Sequence, residues 1–283
     1  MNKTLIGKNG YLFLINDEHK ELEIHCNNLD VVYDKQLKRY NKKNFCLIVF
    51  PNKSLIYKQY LPDKYIVKYR PSVNIYKSVL QNKIIDCYDI LKNEENVYYK
   101  TDTHINVKGS YIVYKHFINE INKMYNLNLK PKELILSQKQ CLLNELQLSI
   151  GDLLFESNLG NQIVENKLDI FYYSNDFEYI YCTHKIHAND SIRILNKNLI
   201  DQNTILSGSV IDWTIISNYI LYKKNNNKLK VIIFYDSFLL SLIQLYLELF
   251  GEVYMIKDIY NNEIINKIQP HYVFEFRVER FLQ

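Results

Sequence analysis

The stretch Lys230-Val-Ile-Ile-Phe-Tyr-Asp-Ser237 sets the expectation for the fold of this chain. Its apolar run from Val231 to Tyr235 is typical of a strand that is covered on both faces, as in a parallel sheet. The run stops at Asp236-Ser237, and the apolar residues that follow, Phe238 to Phe250, predict a helix. A buried strand that turns sharply into a helix is the repeating unit of α/β folds.

The same alternation continues on both sides of this stretch. The other predicted elements of the sheet region are strands over Phe45–Phe50, Lys83–Cys87, Glu252–Ile256 and His271–Phe276, and helices over Ser54–Tyr60, Ser72–Leu80, Tyr111–Met124 and Asn262–Ile268. Because strands and helices alternate near both ends of the chain, residues 1–125 and 229–283 are predicted to form one α/β domain around a doubly wound, mainly parallel sheet.

The middle of the chain, residues 126–228, follows a different pattern. A helix is predicted there over Lys139–Ile150, and four short runs resemble strands: Phe171–Tyr173, Tyr179–Cys182, Ser191–Leu195 and Thr204–Leu206. We interpret this segment as an inserted α+β subdomain of mixed helix and hairpins.

Composition excludes several classes of protein. Of the 283 residues, 47% are hydrophobic and 23% are charged, with only seven glycines and five prolines, which excludes collagen-like and most disordered chains. The formal net charge of +4 is too small to indicate a dedicated nucleic-acid or membrane-surface binder. The glycine-rich phosphate-binding motifs G-x-x-x-x-G-K-[ST] and G-x-G-x-x-G do not occur, so no nucleotide cofactor is predicted.

Cysteine usage and the N-terminus bear on localisation. The five cysteines are odd in number and never form C-x-x-C, so we expect reduced thiols. Residues 1–10 lack the apolar core of a signal peptide, and the run from Phe238 to Phe250 is too short to cross a bilayer. These features predict a cytoplasmic protein, or a periplasmic or extracellular one if a leader was removed.

Ser237 is a candidate nucleophile. It lies where a buried strand turns into a helix, at the carboxyl edge of the predicted sheet, where doubly wound folds keep their sites. Backbone N–H groups at the helix start, together with the helix dipole, could stabilise an oxyanion formed when Ser237 Oγ attacks an acyl group. The alternative is that Asp236 or Ser237 is simply a helix N-cap.

A second polar cluster, Tyr98-Tyr-Lys-Thr-Asp-Thr-His-Ile-Asn106, precedes the Tyr111–Met124 helix. A nucleophilic serine needs a base, and the base needs an orienting carboxylate, roles that His104 and Asp102 could fill from one loop. Asn106 is a further candidate donor. The alternative is a turn in which the carboxylate bonds its own backbone.

Other candidates are less specific. Arg277 and Arg280 end the last predicted strand near the same sheet edge, where they could bind an anionic sugar or form a surface ion-pair cluster. Cys182-Thr-His-Lys-Ile-His187 carries metal-capable side chains, but no second cluster at structural-zinc spacing accompanies it, so no metal site is predicted.

Five blocks of the sequence occur in a recognisable order. They are Gly7-Lys-Asn-Gly-Tyr-Leu-Phe13, Phe50-Pro-Asn-Lys-Ser-Leu-Ile-Tyr57 with Leu61-Pro62, Tyr99-Lys-Thr-Asp-Thr-His-Ile-Asn106 with Gly109, Asp236-Ser-Phe238 and Glu279-Arg-Phe-Leu282. In this order they resemble the alginate O-acetyltransferases of the SGNH-hydrolase-like superfamily. The resemblance implies a Ser-His-Asp acyl-transfer site of Ser237, His104 and Asp102, in a circularly permuted order in which the Asp-x-His pair precedes the serine.

The resemblance also implies a function. It predicts an O-acyltransferase, most simply an O-acetyltransferase, that modifies hydroxyls of a carbohydrate or surface polysaccharide through an acyl-serine. The acetyl donor would be acetyl-coenzyme A or a group delivered by a membrane-bound partner. The esterase alternative transfers the acyl group to water instead, and the sequence does not separate the two because acceptor choice depends on water exclusion.

Two positions depart from the family pattern. Tyr235 stands where glycine is usual before Asp-Ser, and Ile105 follows the histidine where tryptophan is usual. Tyr235 is therefore a candidate residue of the substrate or oxyanion site that could also crowd the serine. A third alternative follows, a catalytically decayed carbohydrate-binding or assembly protein.

Overall fold

A computed structural model describes residues 3–29, 37, 40, 44–133, 136–142, 151–153, 167–173, 204–207, 219–223 and 229–282. The described strands are β1 Thr4–Ile6, β2 Leu12–Leu14, β3 Phe45–Phe50, β4 Ile84–Asp86, β5 Leu136–Leu142, β6 Lys167–Tyr173, β7 Thr204–Ser207, β8 Tyr219–Lys223, β9 Lys230–Tyr235, β10 Glu252–Ile256 and β11 Tyr272–Val278. The described α-helices are α1 Glu21–Asn27, α2 Lys53–Ile56, α3 Pro71–Leu80, α4 Tyr88–Leu91, α5 Val107–Tyr125, α6 Ile243–Leu247 and α7 Asn262–Ile268.

The main sheet has seven strands in the order β4-β3-β11-β9-β10-β8-β7. The five strands from β4 to β10 are parallel to their neighbours, and β8 and β7 add an antiparallel edge. The apolar runs predicted this arrangement, because β3 and β9 are buried along nearly their whole length. The α/β fold with a mainly parallel sheet is therefore confirmed.

Two hydrophobic clusters cover the two faces of the sheet. One contains the apolar side of α5 and the segment after β9, including Phe117 and Phe238. The other contains residues of α3 and α7, including Tyr76 and Ile265. Helices on both faces make the sheet doubly wound.

Parallel strands bring their carboxyl ends to one edge of the sheet. β9 is followed directly by Asp236, β3 is followed by Pro51 and Asn52, and β11 runs into the 3-10 helix Glu279–Leu282. Residues distant in sequence are gathered at this edge.

Helix α5 begins two residues before Gly109. The side chain of Asn106 caps it, since its Oδ1 accepts the Gly109 N–H at 3.0 Å. Gly109 is required here because an added Cβ would lie 2.5 Å from the Val97 carbonyl oxygen. The helix start is thus pressed against the chain that leads into the Asp102–His104 loop.

The middle segment differs from its prediction in one place. The predicted helix over Lys139–Ile150 is wrong at its start, because Leu136–Leu142 is β5, paired antiparallel with β6 in a separate two-stranded sheet. The strand-like runs Phe171–Tyr173 and Thr204–Leu206 do lie in β6 and β7. The runs Tyr179–Cys182 and Ser191–Leu195, and the Cys182–His187 cluster, lie outside the described residues.

Two other features bear on sequence predictions. Cys26, Cys46 and Cys87 are free thiols. Within the described ranges, no helix combines the length and apolarity that a membrane crossing requires.

Candidate active site

The turn after β9 holds Ser237 at the carboxyl edge of the sheet. Asp236 is buried and caps the 3-10 helix Ser237–Leu242, accepting the Phe238 N–H through Oδ1 at 2.9 Å. Its Oδ2 accepts the Val278 N–H at 2.7 Å, which ties the turn to β11. Asp236 is therefore the N-cap of this helix. Ser237 is its first residue, and the Ser237 hydroxyl is available to contact groups outside the helix.

The backbone donors at this turn are unevenly used. The Phe238 N–H bonds the Asp236 side chain and the Leu239 N–H bonds the Asp236 carbonyl oxygen. The Ser237 N–H makes no hydrogen bond to another described residue. It is the backbone donor that remains available beside the Ser237 hydroxyl.

The second loop brings an aspartate and a histidine together. It is closed by a backbone bridge between Tyr98 and Ile105. Asp102 Oδ1 accepts both the His104 backbone N–H, at 2.8 Å, and the ring Nδ1–H, at 2.6 Å. The same carboxylate oxygen thus closes the local turn and orients the imidazole. The two alternatives for this loop, a turn and a catalytic pair, are therefore compatible.

The histidine links the two loops. His104 Nε2 lies 2.7 Å from Ser237 Oγ, and the imidazole packs against the Phe238 ring with centroids 4.9 Å apart. A continuous chain of hydrogen bonds therefore runs from Ser237 through His104 to Asp102. These hydrogen bonds link Ser237 to two residues that precede it by 133 and 135 positions in the sequence. They allow a proton to move from the serine hydroxyl to the imidazole.

Charges around His104 favour its protonated form. Burial alone would lower the pKa of His104, but the carboxylates of Asp102 and Asp152 outweigh that cost and raise the pKa above its ordinary value, while Arg280 opposes them. Burial would raise the pKa of Asp102, but its charge and hydrogen-bond contacts with His104 dominate and lower it. The pair is therefore suited to stabilise an imidazolium.

Asp152 is a site residue that sequence reasoning missed. Its Oδ1 accepts the Thr103 N–H at 2.8 Å, and its Oδ2 lies 3.6 Å from His104 Nδ1. It belongs to the middle of the chain, where no motif marked it. Gly151 before it was the available signal, since glycine commonly marks a close backbone approach.

A metal ion is the other ligand to consider for this cluster. Within the described ranges, Asp102, His104 and Asp152 each offer a ligand atom, all within 4.8 Å of one another. Asp102 Oδ1 and His104 Nδ1 already share a hydrogen bond of 2.6 Å, which a metal ion bound between them would have to replace. The arrangement of these three side chains therefore fits a shared proton better than a bound metal ion.

The structure places the remaining predicted residues as follows. Arg280 is buried, its guanidinium lies 5.2 Å from the centroid of the Phe238 ring, and its Nη1–H bonds Glu21 at 3.3 Å. It is thus beside the residue that follows Ser237. Arg277 is instead directed away, bonding Glu275 at 2.8 Å and the carbonyl oxygen of Asp258.

Two further candidates belong to the core. Asn106 caps α5 through its carbonyl oxygen and donates to the Asn96 carbonyl oxygen at 2.7 Å, so its polar groups serve the helix start rather than Ser237. Tyr235 is 5% exposed among core residues, and burial raises its pKa to about 12. Neither Tyr235 nor Ile105, which is also buried, interrupts the hydrogen bond between His104 and Ser237.

The fold is that of an α/β protein with a mainly parallel sheet, and Ser237, His104 and Asp102 lie together at the carboxyl edge of that sheet. Three solved structures are similar over nearly the whole chain. PatB1 of Bacillus cereus with a sulfonyl adduct has a TM-score of 0.60 at 14% identity, covering 100% of this chain and 97% of that one. A DHHW family protein of Eubacterium siraeum has a TM-score of 0.57 at 16% identity, covering 99% and 94%.

The third is the O-acetyltransferase domain of Pseudomonas putida AlgJ, with a TM-score of 0.54 at 13% identity, covering 99% of this chain and 91% of that one. No protein-family model matches the chain, and no curated relative does. The predicted resemblance to the alginate O-acetyltransferases is confirmed as a likeness of fold.

Proposed function

We propose that this protein is a serine-dependent O-acetyltransferase that modifies hydroxyl groups of a carbohydrate. The observation that carries the proposal is the chain of short hydrogen bonds, 2.7 Å from Ser237 Oγ to His104 Nε2 and 2.6 Å from His104 Nδ1 to Asp102 Oδ1. The likeness in fold to an O-acetyltransferase domain supports the same reaction class.

The first half of the reaction forms an acetyl-enzyme. His104 Nε2 takes the proton from Ser237 Oγ as that oxygen attacks the acetyl carbonyl carbon. The negative charge that develops on the carbonyl oxygen is stabilised by the Ser237 N–H at the helix start. His104 then gives its proton to the departing donor group as the bond between that group and the acetyl carbon breaks.

The second half repeats these steps with the acceptor. A sugar hydroxyl gives its proton to His104 and attacks the acetyl carbon, and Ser237 leaves with the proton returned by His104. Asp102 holds the imidazole in the tautomer that presents Nε2 to the serine.

No resident cofactor enters this scheme. The donor is a co-substrate, acetyl-coenzyme A in a cytoplasmic setting or an acetyl group presented by a membrane-bound partner outside the cytoplasm. The acceptor is a carbohydrate or surface polysaccharide. Transfer to water by the same residues would make the protein a carbohydrate esterase.

The test is a mapped acetyl adduct. Wild-type protein is incubated with p-nitrophenyl acetate, and we expect a mass increase of about 42 Da, which is one acetyl group replacing a hydroxyl hydrogen, on the peptide that carries Ser237. Addition of oligosaccharides should then move the acetyl group to sugar.

Acetate release without transfer to any sugar would instead favour the esterase. A folded protein that gives neither adduct nor p-nitrophenol would overturn the proposal in favour of a binding protein. An adduct mapped to another serine would overturn the assignment of the nucleophile.

A further inference from the structure

A second carboxylate, Asp152, contacts the Asp102–His104 loop from a remote part of the chain. Asp152 Oδ2 accepts the Thr103 hydroxyl at 2.6 Å and Oδ1 accepts the Thr103 N–H at 2.8 Å. In return, the Asp152 N–H donates to Asp102 Oδ2 at 3.1 Å. Three hydrogen bonds therefore join Asp152 to the Asp102–His104 loop.

The backbone around Asp152 is held in place by packing. An added Cβ on Gly151 would lie 2.4 Å from the Thr101 carbonyl oxygen, so only glycine permits this approach. On the other side, the Thr4 hydroxyl donates to the Leu153 carbonyl oxygen at 2.7 Å, and Leu153 packs against Leu12. Asp152 is thus docked between the loop and the β1–β2 hairpin rather than resting on the surface.

The contacts leave Asp152 close to the base. Its Oδ2 is 3.6 Å from His104 Nδ1, and the Thr103 hydroxyl that donates to Asp152 is 3.5 Å from the same nitrogen. Among the described residues, the charged groups that act on His104 are the carboxylates of Asp102 and Asp152, which raise its pKa, and the guanidinium of Arg280, which lowers it. Removing one of the two carboxylates would therefore lower the pKa of His104, because the effect of Arg280 would be opposed by one carboxylate instead of two.

We propose that Asp152 is a positioning residue of the site, which fixes the Asp102–His104 loop and stabilises the imidazolium that forms on His104 when it takes the Ser237 proton. The inference rests on the proposed function for its catalytic consequence. The loss of negative charge beside His104 has a consequence that does not need activity, because it lowers the pKa of the imidazole.

The test uses Asp152→Asn, which keeps the size of the side chain and its acceptor for the Thr103 N–H. We expect the pKa of His104, followed by NMR of its ring, to fall by about one unit relative to wild type. The acidic limb of the pH profile for p-nitrophenyl acetate turnover should move down with it, because the base stays neutral to lower pH. At pH 8 we expect kcat to fall by up to about 10-fold, since one pKa unit corresponds to about 1.36 kcal/mol of imidazolium stability.

Asp63→Asn is the matched control, because Asp63 is 92% exposed and pairs with Lys8 on the surface. A purely structural role would lower stability or kcat while the His104 pKa stayed where it was, and that result would overturn the inference. Failure of the wild type to turn over the ester would count against the proposed function only, because the NMR titration reports on Asp152 independently.

Discussion

Ser237→Ala is expected to lower kcat/KM for acetyl-ester turnover by about 10⁴-fold or more, and to abolish the acetyl adduct. The physical reason is that the 2.7 Å contact with His104 Nε2 places a base within reach of the Ser237 hydroxyl. Without it the remaining groups can polarise an ester but cannot form the acyl-enzyme. Burst kinetics with p-nitrophenyl acetate measure both losses.

Ser241→Ala is the matched control. Ser241 lies in the same 3-10 helix, but its hydroxyl bonds Ser110 at 2.7 Å instead of a histidine. We expect turnover within about twofold of wild type. The substitution removes one neutral hydrogen bond, which lowers stability by about 1 kcal/mol, but it removes no catalytic group. Equal losses in the two variants would mean that the helix, not the nucleophile, had been damaged.

The double variant sharpens the same prediction. His104→Ala should cost about as much as Ser237→Ala, and the two together should cost little more than either one, because groups that act as a unit are not additive. Losses that multiplied in the double variant would contradict a shared proton transfer between His104 and Ser237.

The sheet could be predicted because its determinants are local. The runs Phe45–Phe50 and Val231–Tyr235 are continuously apolar, and they form the strands Phe45–Phe50 and Lys230–Tyr235. The segment Leu136–Leu142 shows the opposite case, since its glutamines, lysine and leucines are good helix formers, yet pairing with β6 makes it a strand. Tertiary pairing overrides propensity where the local pattern is weak.

The site was predictable only where residues lie together in sequence or belong to a motif. Asp102 and His104 share one loop, and Ser237 follows a recognisable strand. Asp152 belongs to neither group, because its proximity to His104 depends on how residues 151–153 dock against Thr101. Asn106 had the right residue type, but its capping contact with Gly109 is decided by where α5 begins.

Lys53 is a residue whose replacement we expect to have a large effect on stability. Sequence reasoning placed it in a family-like block but assigned it no role. Its side chain is buried, and its Nζ donates to the carbonyl oxygens of Leu12, Lys100 and Asp102 at 2.7, 2.7 and 3.0 Å. The ammonium group thus joins three chain segments: α2, strand β2 and the Asp102–His104 loop.

Lys53→Met is expected to lower the free energy of unfolding by about 3–5 kcal/mol, because two buried carbonyl oxygens and a half-buried one lose a charged donor while the apolar stem is kept. Urea unfolding followed by circular dichroism measures the change. Lys58→Met, five residues away and exposed, is the control and should change the same quantity by less than about 0.5 kcal/mol. A loss below about 1 kcal/mol in Lys53→Met would mean that water or other donors satisfy these carbonyl oxygens. The Asp102 carbonyl would then be positioned by the rest of its loop, with no need of the lysine.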